Sequence, residues 1–200
     1  YSWYHHSLSE HSPMKSLPEV LAGSAEFRKR NIPDASEKPI IAQLTTQVRT
    51  SMMKPKYNHP VCVKGNVLLH IHLLRKTNLL NAQHQEDLKD MLKKSTALID
   101  AMISVCKHQD ALKTAALCIE FGQYMTQALW VKDSALLQIP HFTNEEIKHI
   151  KTAKGGIIKD VQTYKELPDD DKKGMLNFTE SQKTDVQEFL NMFPDISVEC

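Results

Sequence analysis

Lys113, Glu120, Gln123, Gln127 and Trp130 recur at steps of seven, three, four and three along one stretch of this 200-residue chain. On a helix that turns 100° per residue, they share an arc of roughly 100°. Flanking positions are mostly apolar, and a polar strip left on such a helix needs polar partners, water or a groove. Other residues offer chemistry less convincingly. His70 and His72 suggest a metal, yet residues two apart on a helix point about 200° away from each other. No Cys, Asp or Glu sits at a spacing that completes such a site. Cys62, Cys106, Cys118 and Cys200 form no CxxC pair, and three fall on apolar helix positions. They read as reduced, buried thiols of an intracellular protein. There is no glycine-rich phosphate loop, HExxH or GxSxG, and Ser, His and Asp are not placed as a relay. The chain itself reads as no enzyme, with no cofactor or metal of its own.

The element that must position the strip spans 110–131, long enough for about six helical turns. Leu117, Phe121, Tyr124, Ala128 and Val131 form one apolar row. Ala111, Ala115, Cys118, Met125 and Leu129 form a second, with Gly122 in its gap. Two rows exceed the single stripe of a surface helix, so the spacing predicts a central helix wrapped by others. Before it, the aromatic and His-rich segment 1–12 reads as a lead-in that packs on something. SLPE at 16–19 reads as a capping box, and Gly23 stops that helix. Arg28, Lys29 and Arg30 fall in a loop. Pro39 opens a helix with Ile40, Ile41, Leu44 and Val48 on one face, and 52–60 is a loop. Helical spacing continues over 61–74 and 85–107.

After the central helix the pattern shortens. TNEE at 143–146 is a capping box, with Ile147 and Ile150 facing inward. Gly155-Gly156 breaks that helix, and a short helix runs from Ile157 to Leu167, together a helix-hairpin-helix. Pro168 begins another short helix, whose Asp169–Asp171 suit a helix N-terminus. TESQ at 179–182 caps a last helix with Val186, Phe189 and Leu190 inward. No segment before Ile196 alternates as a strand, so the expected class is all-α.

Hydrophobic residues make up 41% of the chain, enough to bury a core. Net charge is +1, but residues before Asp133 are net basic and those after are net acidic, so polyanion contact is open only to the first part. No apolar run has the length of a membrane span, and no signal-peptide pattern opens the chain. Both ends read as cut from a longer polypeptide.

MTQALWVKDS at 125–134 and LQIPHFT at 137–143 resemble the Sec sixty-three homology unit of large nuclear DExH-box RNA helicases of the spliceosomal Brr-two type. LAGSAEF at 21–27, KYNHP at 56–60 and NVLLHIH at 66–72 extend the resemblance, and FPDI at 193–196 resembles the entry to the family's β-sandwich. It implies a helical bundle over 1–137, a helix-hairpin-helix domain over 138–194 and the start of a missing fibronectin-like sandwich over 195–200. The family's unit follows two RecA-like motor domains and a winged helix, and the motors bind ATP and magnesium. Its long ratchet helix lies across the path of single-stranded RNA. By resemblance, Gln123 and Gln127 would then hydrogen-bond the strand, Lys113 and Lys132 would contact phosphates, and Trp130 would be a stacking platform. The other reading of Trp130 is a core anchor. The resemblance implies a nuclear protein that guides RNA or docks spliceosomal proteins. LAGSAEF also resembles the translocation subunit of the endoplasmic reticulum that gives the unit its name, which would make the chain a cytosolic scaffold at that membrane.

Overall fold

The computed structural model describes the chain except residues 29–31, 149, 151–155, 169–171, 173, 176 and 197–200. The described residues are helical, with no strand, and Ile157 makes one isolated bridge. The fold is all-α. The chain divides into two compact units, 1–131 and 132–200, six residues earlier than the boundary expected at 137.

Among the described residues, the first unit holds six α-helices: α1 (Ser2–Ser7), α2 (Leu17–Ala22), α3 (Glu37–Val48), α4 (Pro60–Leu73), α5 (Ala82–His108) and α6 (Leu112–Gln127). The lead-in is α1. It is held by the buried Tyr4 hydroxyl against Ser24 Oγ (2.6 Å) and by the Trp3 indole N–H to the Val20 carbonyl (2.7 Å). The capping box expected at 16–19 does not form. Ser16 Oγ donates to the Pro13 carbonyl, while Glu19 Oε1 accepts the backbone N–H groups of Lys56 and Tyr57 at 2.8 and 2.9 Å. A carboxylate fit to cap its own helix pins a distant loop instead. On α3, Ile41, Leu44 and Val48 are buried, whereas Ile40 is exposed.

α4 is covered on nearly all sides, and one of its buried residues is Lys64 (1% exposed). Its ammonium reaches Glu37 Oε2 of α3 (2.5 Å) and Asp87 Oδ2 of α5 (2.8 Å), and His84 Nε2 lies 3.1 Å from the same Glu37 oxygen. Burial alone would lower the Lys64 pKa, but its bonds to Asp87 and Glu37 outweigh this and raise it. Burial would likewise raise Glu37, and the Lys64 and His84 contacts bring it below its ordinary value. Lys64 and Glu37 are thus favoured in their charged forms, and the cluster joins three helices.

Among the described residues no group of His, Cys, Asp and Glu is placed to hold a metal ion. His70 is buried, with Nδ1 on the Asn66 carbonyl, and burial pushes its imidazole down to about 4. Burial lowers His72 too, although its Nε2 meets the Met125 carbonyl at 2.8 Å. Once unfolded, a histidine titrates near 6.5. Between that pH and about 4 the unfolded chain therefore binds more protons, so stability is intact above about pH 6.5 and falls as pH drops. The expected loss from His70 reaches about 3 kcal/mol near pH 4. Melting temperatures at pH 7.5, 6 and 5 should decline in step, and less steeply in His70→Gln; equal slopes for the two proteins would exclude His70 as the cause.

The second unit holds α7 (Asn144–Lys148), α8 (Val161–Lys165) and α9 (Glu180–Met192). Glu146 reaches back to the Thr143 N–H (2.8 Å) at the start of α7, and Thr179 and Gln182 form a reciprocal capping box on α9. Val186 and Leu190 are buried with Leu136, Ile139, Phe142, Ile150, Ile158, Val161 and Tyr164, and Phe189 packs against them. α8 is shorter than the helix expected from Ile157, which is exposed. The middle of the expected helix-hairpin-helix, residues 151–155, the acidic run 169–171 and the end of the sandwich entry, 197–200, lie outside the described residues. Among the described residues no helix is long and apolar enough to cross a membrane.

Candidate nucleic-acid interface

α5 and α6 are antiparallel neighbours joined by a tight connection in which Asp110 takes a left-handed conformation (φ 53°). The Asn81 side chain caps α5 by accepting the His84 N–H at 2.8 Å. α6 is not wrapped as its two apolar rows suggested. Its buried residues, Thr114, Cys118, Phe121 and Met125, form one stripe, while Leu112 and Ile119 are 79% and 53% exposed. The helix also ends early, at Gln127, because Ala128 turns left-handed (φ 50°). Arg75 clamps this end, donating to the Ala128 carbonyl (2.8 Å) and the Gln127 carbonyl (3.1 Å).

Between the two helices runs a groove of about 690 Å³. Ile99 and Met125 form its floor, Thr96 and Asp100 stand on the α5 side, and Gln123 and Gln127 on the α6 side. Gln123 is exposed and Gln127 half-buried, and among the described residues neither side-chain amide has a recorded partner. Each therefore has a donor and an acceptor available to an incoming molecule. Asp100 gives this groove a negative edge, and among the described residues no lysine or arginine lines it. At His72 and Leu92 it meets a second groove of about 550 Å³ bordered by Lys89 and Lys93. The first groove thus carries amides and the second carries Lys93 and Lys89, the latter 3.5 Å from Glu86 Oε1.

Two of the five candidates from the sequence, Gln123 and Gln127, thus come together. Lys113 is exposed in the first turn of α6 but does not border the groove. Lys132 is exposed and belongs to the second unit. Trp130 is 5% exposed, with His70 and Tyr124 edge-on to its ring at 5.4 and 6.0 Å and its indole N–H on the Ser51 carbonyl (3.3 Å). A stacking platform needs an open ring face, so Trp130 takes the core-anchor role here. Lys89 and Lys93, which border the second groove, stand four residues apart on α5 on either side of Leu92, and that step is the one signal of them in the sequence.

The model of the Sec63 Brl domain matches residues 1–200. The chain belongs to this family. Among relatives of the Sec63 Brl chain is the U5 small nuclear ribonucleoprotein 200 kDa helicase of Homo sapiens, 37% identical over 193 residues. Another is the DExH-box ATP-dependent RNA helicase DExH12 of Arabidopsis thaliana, 32% identical over 191 residues. A third, the activating signal cointegrator 1 complex subunit 3-like protein of Dictyostelium discoideum, is 27% identical over 192 residues. Each alignment covers 96% of this chain, which spans only 9%, 9% and 8% of the respective relatives.

Proposed function

We propose that this Sec63 Brl chain is a non-catalytic accessory unit of an ATP-dependent RNA helicase of the spliceosomal type, and that it guides single-stranded RNA along the α5/α6 groove. The observation that carries this reading is the pair of unpartnered amides, Gln123 and Gln127, on one wall of that groove. Amides at the edge of a strand path can bond base edges or ribose hydroxyls without needing a particular sequence. Phosphates would pass away from Asp100 and toward Lys89 and Lys93, with Lys113 and Lys132 as outlying contacts. ATP and magnesium would belong to RecA-like motor domains of the same polypeptide, beside a winged helix, and the parent would work in the nucleus among splicing proteins. The likeness to two RNA helicases favours this over the translocation scaffold.

The test is Gln123→Ala with Gln127→Ala in the full-length helicase. Both side chains are at least partly exposed, so melting should stay within about 2 °C of the parent. Unwinding should slow by up to about thirty-fold as the loss of two hydrogen bonds at about 1 kcal/mol each is felt on the moving strand. Unchanged unwinding at unchanged melting would remove the groove from the strand path.

A further inference from the structure

A smaller pocket, of about 270 Å³, lies in the first unit where α1, the end of α2 and the loop before α4 meet. Trp3, Tyr57, Arg28, Lys56, Asn58 and His59 line it. The Trp3 and Tyr57 rings stand 4.6 Å apart, tilted by 57°. Trp3 is fixed there on purpose-fitted backbone: a Cβ at Gly23 would come within 2.1 Å of its ring. Tyr57 is held by its hydroxyl on Ser7 Oγ (3.1 Å) and its backbone N–H on Glu19. The aromatic wall is therefore set in advance.

The polar side is donor-rich. Among the described residues, the Arg28, Lys56 and His59 side chains form no ion pair. His59 Nδ1 accepts the Val61 N–H (3.3 Å), which in the neutral ring leaves the proton on Nε2 as a donor. Glu19, the acid behind the loop, spends Oε1 on two backbone N–H groups. Glu26 faces the adjoining groove, which Arg28 also borders. Three unpaired donors beside two partly exposed rings suit a ligand that carries an anion and a flat ring together.

We propose that this pocket takes one nucleotide of a single-stranded RNA, its phosphate on Arg28, Lys56 and His59 and its base against the Trp3/Tyr57 wall. Cations plus aromatic faces are the ordinary means of holding single strands. A phosphorylated peptide would use the cations but has no need of the rings. The site stands independently of the α5/α6 groove, since neither Gln123 nor Gln127 borders it.

The chain contains two tryptophans. With Trp130 buried, quenching of Trp3 emission reports this pocket. Titrating the 200-residue chain with an eight-nucleotide oligouridylate at low salt should quench emission saturably. Arg28→Gln and Lys56→Gln, both at exposed positions, should each weaken binding several-fold and lower the salt slope by about 0.7. Circular dichroism melts confirm that the variants remain folded. Gln123→Ala with Gln127→Ala should leave the quench unchanged. Absence of saturable quenching, or quenching indifferent to both charge variants, overturns the proposal. A phosphoserine peptide binding as tightly as the oligonucleotide overturns it in favour of a protein partner. Quenching lost only in the glutamine variants assigns the strand to the α5/α6 groove and overturns the pocket, while quenching lost only in the charge variants supports the pocket and leaves the groove to the unwinding test.

Discussion

Lys64→Met should destabilise the first unit by about 3–5 kcal/mol, the usual cost of removing one member of a buried ion pair. The lysine is the centre of the cluster: without it, Glu37 and Asp87 face each other with no cation between them. Methionine nearly matches the lysine stem in size, so lost packing contributes little and the effect is mainly electrostatic. Urea denaturation at pH 7 reads the change directly. Adding Glu37→Gln and Asp87→Leu should recover part of the loss, because an uncharged cluster no longer strands a buried ion. A single variant within about 1 kcal/mol of the parent would mean that water reaches the cluster and screens it.

The second large effect is expected at Trp130. Truncation to alanine removes a buried indole and its bond to the Ser51 carbonyl, a change of about 3–5 kcal/mol. Melting should fall by at least about 8 °C. Any loss of RNA binding should track the unfolded fraction and disappear on cooling well below the transition. A Trp130→Ala chain that melted with the parent, yet no longer bound RNA, would return the indole to the interface.

The different fortunes of Gln123, Gln127 and Trp130 show what periodicity can and cannot reveal. All three share one strip on an ideal helix, and for the two glutamines the helix is real. Trp130 lies beyond Ala128, where the left-handed residue breaks the 100° step, so its direction cannot be extrapolated from the strip. Alanine gives no warning of such a turn, since glycine is the usual residue there. Overestimated burial of α6 has a related cause: alanines count toward an apolar row without requiring a partner to cover them. The all-α class and most helices were legible because their apolar spacing spans several turns. Lys64 was not, because a charge among apolar positions shows its burial only when Glu37 and Asp87 arrive from other helices. Glu19 was misread for the same reason: its partners lie at Lys56 and Tyr57, far along the chain.

The short connection between α5 and α6 also bears on the order in which the unit assembles. Only residues 109–111 separate the two helices, so their pairing closes almost no loop. α2 and α4, by contrast, must close the segment from Gly23 to His59, which costs about 2 kcal/mol more in chain entropy. Local contacts of the first kind form early in folding, and distant ones condense onto them. The α5/α6 hairpin is therefore expected to be the nucleus. Its groove would take shape before the Glu19 stitch and the Lys64 cluster draw the earlier helices onto it, and substitutions at the α5/α6 contact should slow folding while those at Lys64 and Glu37 chiefly hasten unfolding.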